Sequence, residues 1–168
     1  METLIEEALE AWGYARSGVV DEVASLGERD VAFRPAEGSR SVAELVFHIL
    51  ESGALMAGEL SRKDGDFRRK SYEALLREHG RGIPRGKTRR QLLDGLRATH
   101  EKGAEKIRRA GELHMLQLIR RFDGKMGTRL AWMHHGISHE EYHRGQIALC
   151  ARLLGRTPAL TRLIEGGS

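Results

Sequence analysis

Apolar residues recur at intervals of three and four along most of this chain, with no sustained two-residue alternation. That pattern admits helices and disfavours sheets, because only a 3.6-residue period puts such positions on one face. The first stripe is Leu4, Ile5, Ala8, Trp12, Ala15, Val19, Val23 and Leu26, predicting a helix over 3–26 with Gly27 as its stop. After a connection marked by Pro35 and Gly38, Ser41 and Glu44 have the spacing of a capping box. The helix they open carries Val42, Leu45, Val46, Ile49, Gly53, Met56 and Leu60 on its apolar face. Thr88 and Gln91 repeat the capping spacing ahead of Leu92, Leu93, Leu96, Ala104 and Ile107, a stripe weakened by Gly95 and Gly103. A last long helix is predicted over 128–154, ended by Gly155 and Pro158.

These four segments predict an all-α four-helix bundle with a long connection between its second and third helices, a single domain over residues 1–168. A short helix is expected over 71–80 and one further turn in the tail. Residues 111–126 read equally as a strand-like run, a helical turn or an ordered loop.

Composition excludes some classes. Apolar residues are 40% and charged residues 31% of 168, an ordinary globular balance. No apolar run approaches the ~18–20 residues of a membrane span. The opening METLIEEALE is acidic and amphipathic, unlike a signal peptide, and the lone Cys150 fits a reducing compartment. The expected location is cytoplasmic. Residues 62–90 carry 11 basic and 4 acidic groups, a local excess of +7, read as a solvated connection. Only Phe67 and Tyr72 interleave it, too few for stacking on bases, so a nucleic-acid partner is not expected. RGIPRGKT, residues 81–88, is no phosphate loop: Arg81 stands where glycine is needed and no predicted strand precedes it.

The chemistry concentrates in HEEYHRGQ, residues 139–146. His139 and His143 are i and i+4, roughly 40° apart around the axis and about 6 Å apart along it, so both rings can reach one ion. Spacing alone leaves two readings open, a ligand pair or two solvated histidines. His135 forms the competing pair with His139 but turns further from the apolar stripe. A protein site needs a third ligand, and His48, at the margin of the second helix's stripe, is the best placed. His79, His100 and His114 read as surface residues, and Arg144 as a solvated cation or surface ion pair. Gly145 suggests close approach of a neighbouring helix, and Gln146 could orient His143 from three residues on. Cys150, Trp12, Trp132 and the methionines read as core.

Two motifs carry a resemblance. SVAELVFHIL, residues 41–50, and HEEYHRGQIALCARLLG, residues 139–155, resemble the second- and fourth-helix signatures of the DinB/YfiT-like superfamily of bacterial metal-binding bundles. The resemblance implies a facial triad of His48, His139 and His143 holding Zn²⁺ or Ni²⁺, with positions open to water or substrate. It implies a small-molecule substrate and, by similarity to thiol S-transferases in the family, a low-molecular-weight thiol co-substrate such as bacillithiol or mycothiol. A metal-dependent hydrolase and a non-enzymatic metal-binding stress protein are the alternatives. Homodimers are common in such a family. Glu51 and Glu140 join Gln146 as candidates for groups behind the ligands, with a Glu140–Arg144 pair as the plainer role for Glu140.

Overall fold

The computed structural model describes residues 3–166. The ends of the expected domain, Met1, Glu2, Gly167 and Ser168, lie outside the described residues. Four long helices make the bundle: α1 (Leu4–Ala24), α2 (Val42–Ser61), α4 (Arg89–Ala110) and α6 (Arg129–Leu153). Between them lie α3 (Tyr72–His79), α5 (Glu112–Met115), strands β1 (Leu118–Arg120) and β2 (Met126–Thr128), and after them α7 (Ala159–Gly166). A single 3₁₀ turn, Asp30–Ala32, interrupts the first connection.

Local signals account for the helix ends. Both capping boxes form: Ser41 with Glu44 and Thr88 with Gln91, each satisfying two backbone donors. Thr128 caps α6 through its side chain at Ala131 N, 3.1 Å. Gly155 (φ +73°) follows the end of α6, with Gly155 N donating to Arg152 O and Arg156 N to Ala151 O, the paired bonds of a left-handed C-terminal cap. The stop expected at Gly27 differs. Helix α1 ends at Ala24 on a right-handed Ser25, and Gly27 N instead donates to Asp30 at 2.7 Å.

The segment 111–126 resolves into a helical turn and the first strand of an antiparallel pair, registered Leu118 to Thr128 and Arg120 to Met126. Alternation over three residues is too short to read in sequence, and the loop between α2 and α3 docks on the pair. Phe67 N donates to Arg120 O at 3.0 Å, and Arg120 pairs with Asp66. The excess charge of 62–90 is also partly internal: Arg69 pairs with Glu59 of α2 and with Glu78. Met126 is exposed on the hairpin rather than core.

The core forms two clusters along the bundle. One is built round Trp12, Leu60, Phe67, Ile107 and Met133, the other round Val19, Val46, Ile49, Leu96 and Ile147. Between them a polar layer crosses the interior. Arg16, 3% exposed, and Glu140, 1% exposed, pair at 2.6 Å. No helix of the described residues is long and apolar enough to cross a membrane.

Candidate metal centre

Helix α6 presents His139 and His143 one turn apart, and α2 brings His48 against them. Ring centroids lie 5.1 Å apart for His48–His139, 4.9 Å for His48–His143 and 4.5 Å for His139–His143. One ring nitrogen from each falls within 4.8 Å of the others. The two α6 rings face each other Nε2 to Nε2 at 3.1 Å. Gln146 accepts from His143 Nδ1 at 2.6 Å. That bond fixes the tautomer, leaving the His143 Nε2 lone pair aimed at the centre of the three rings.

Burial keeps these rings neutral. It lowers the pKa of His48 and of His139 to about 4, with neighbouring histidines and Arg40 adding to the shift. The same burial lowers His143, opposed by its Gln146 bond. Neutral imidazole is the form that donates a lone pair to an ion, so the donor set fits a divalent metal. A second cluster, Glu59, Glu78 and His79, has comparable spacing. Its cation position is already filled, because the Arg69 guanidinium donates to both carboxylates.

The other candidates fall differently. Both Glu140 oxygens are engaged, one by Trp12 Nε1 at 2.7 Å and Arg16 at 2.6 Å, the other by Arg16 Nε at 2.9 Å. Its expected partner Arg144 pairs instead with Glu141 at 3.3 Å. The Arg144 side chain is only 10% exposed, because it lies across Gly18 of α1, where a Cβ would overlap the guanidinium. Glu51 is half-buried with its carboxyl against Gly80, and burial raises its pKa. His135 stacks on Trp132 with centroids 4.2 Å apart, outside the group of three.

Two readings need correction. A Cβ on Gly145 would meet nothing within 4 Å, so no helix approaches there. The close approach is at Gly136, where a Cβ would overlap Met56 of α2. Nor are His79, His100 and His114 surface residues. His79 is half-buried against Glu59 at 2.6 Å, and His114 meets the Leu60 carbonyl at 2.9 Å. His100 packs edge-on to Trp12, its buried Nε2 without a partner.

Sequence reading missed Arg16 and Arg40. A charge on the apolar stripe, four residues after Trp12, was the available signal for Arg16. Arg40 sits in an irregular connection and carries no such signal; it lines a cavity with Gln146, Leu45 and Cys150. Cys150 is buried as expected, and burial raises its thiol pKa. A cavity of about 240 Å³ opens beside His139 and Glu140. A larger one, about 620 Å³, lies between α2, α4 and residues 81–86 and touches none of the three histidines.

Comparison with known proteins agrees with this architecture. Solved structures of DinB-like proteins share the fold. One from Bacillus subtilis is 22% identical, with 90% of this chain and 93% of that chain covered at a TM-score of 0.66. One from Bacillus cereus is 17% identical, with 91% and 94% covered at a TM-score of 0.67. No curated protein matches the sequence. The family model described as the DinB superfamily matches residues 11–147, and with most of the bundle inside that match the chain belongs to the DinB superfamily.

Proposed function

We propose that His48, His139 and His143 hold a divalent metal, Zn²⁺ or Ni²⁺, at the centre of a thiol-dependent S-transferase acting on a small molecule. The convergence of three neutral imidazoles from two helices beside a cavity carries this reading. A bound ion there would supply a Lewis acid that favours the thiolate form of a co-substrate. The chain's own contribution is positional. Gln146 holds the His143 ring, and the buried Arg16–Glu140 pair fixes α6 against α1 one residue beyond His139. Arg40, whose charge is also felt by Glu51, adds positive potential over all three rings, which suits an anionic thiol.

The test incubates metal-loaded and metal-free protein with low-molecular-weight thiols and electrophilic acceptors. Transfer that needs both metal and thiol supports the assignment. Turnover of esters or amides without thiol would replace it with metal-dependent hydrolysis. Metal binding with neither activity would leave a metal-binding stress protein. A single domain over 1–168, a cytoplasmic location and a homodimer belong to the same reading. Exposed Leu149 and Leu153 of α6 favour the dimer, which sedimentation of the purified chain in the analytical ultracentrifuge would test as a doubled mass.

A further inference from the structure

The cavity beside His139 has an unusual wall. Phe67 comes from the α2–α3 connection, Phe122 from the turn between β1 and β2, and Trp132 from the first turns of α6. Their centroids lie 4.9 Å (Phe67–Phe122), 5.7 Å (Phe67–Trp132) and 6.2 Å (Phe122–Trp132) apart, with Tyr72 at 5.4 Å from Phe122. These are the tilted and edge-on contacts that aromatic groups prefer. Phe67 belongs to the core, but the wall is not closed over: Tyr72 and Phe122 each remain 37% exposed. The two connections that carry Phe67 and Phe122 are held together by the Phe67 N–Arg120 O bond and the Arg120–Asp66 pair. The chain therefore fixes an aromatic wall around an open space instead of filling it.

We propose that this cavity is a binding subsite for a small, flat, uncharged ring compound. The subsite deepens the proposed transferase reading, in which that compound is the electrophilic acceptor held beside the metal. Size agrees: a dry apolar cavity of ~150 Å³ holds benzene, and this one is about 240 Å³. Charge agrees as well. No lysine or arginine lines the cavity, and Glu140, its one carboxylate, is already neutralised by Arg16. An anionic ring would find no cation on the lining itself; the nearby Arg121 guanidinium is already seated on the Trp132 ring, 5.4 Å from its centroid.

The experiment follows 4-fluorobenzyl alcohol by ¹⁹F NMR as it is titrated with the metal-free full-length protein. Saturable binding is expected, weakened at least about fivefold by Trp132→Ala and by Phe122→Ala and unchanged by Leu163→Ala on the far exposed helix. Circular dichroism checks that each variant is folded. Phe122→Ala, on a surface turn, serves if Trp132→Ala unfolds. 4-Fluorobenzoate should bind more weakly than the alcohol. No saturable binding, binding untouched by Phe122→Ala, or tighter binding of the benzoate would overturn the subsite. Tighter binding of N-acetylphenylalanine amide would overturn it in favour of a peptide partner. Because no metal is present, failure here is distinct from failure of the triad, which equilibrium dialysis with Zn²⁺ reads separately.

Discussion

Arg16 and Glu140 meet in the middle of the bundle with both side chains out of water, two nitrogens of the guanidinium against two oxygens of the carboxylate. The pair does not stand alone. Trp12 donates to the same carboxylate, and the third guanidinium nitrogen reaches Leu96 O at 2.7 Å and Thr99 at 2.9 Å, so α1, α4 and α6 are joined at one level. Gly53 of α2 leaves the room, since a Cβ there would stand 2.9 Å from the guanidinium.

Removing one partner strands a buried charge. Glu140→Gln is expected to lower unfolding free energy by about 3 kcal/mol, and Arg16→Met by a similar amount. The double variant Arg16→Met/Glu140→Gln should be less destabilised than the sum of the singles, because neither charge is then left uncompensated. Urea denaturation of the four proteins checks both statements.

The triad makes an equality testable. If each imidazole supplies one nitrogen, His48→Ala and His143→Ala should weaken Zn²⁺ binding to similar extents, although the residues lie on different helices. His135→Ala, stacked on Trp132, should leave the affinity unchanged. Gln146→Ala should cost less than a ligand, about 10–100-fold, the range for groups that orient metal-bound histidines. Equilibrium dialysis gives all four constants; full affinity in His48→Ala would reduce the site to a pair on α6.

Metal-free protein should lose stability in mild acid. Unfolded histidines bind protons near pH 6.5, whereas His48 and His139 do so only at about 4 in the folded state. Between these values the unfolded chain holds more protons, so stability falls as pH drops from about 6.5 to about 4, and the histidine contribution levels off below that. The double variant His48→Gln/His139→Gln should show a shallower fall over that window in thermal melts at graded pH.

Two helix glycines should respond in opposite directions to alanine. Gly145 faces open space, so Gly145→Ala should stabilise by up to about 1 kcal/mol through helix propensity. Gly103 receives the Trp12 ring, which a Cβ would overlap, and Trp12 is fully buried with its Nε1 bonded to Glu140. Gly103→Ala should destabilise by about 1–3 kcal/mol despite its better propensity. Thermal unfolding of the two variants decides the sign.

What was legible in the sequence was local. Apolar spacing marked the four long helices, and Ser41, Glu44, Thr88, Gln91 and Gly155 marked their ends, because caps and periodicity act over a few residues. The i, i+4 spacing put His139 and His143 on one face for the same reason, and the motif around His48 marked it as the third member. Only the tertiary structure decided which side of α6 meets α2. It is Gly136, not Gly145, that yields to a neighbour, since a glycine's place in the sequence does not say what stands opposite it. Packing also decided that Glu140 meets Arg16 of α1 rather than Arg144 on its own helix. A buried guanidinium held from α4 and α6 at once outcompetes a pairing one turn away. The aromatic wall belongs wholly to this second class: Phe67, Phe122 and Trp132 come from three separate segments, and only the docking of two irregular connections on each other turns them into one surface.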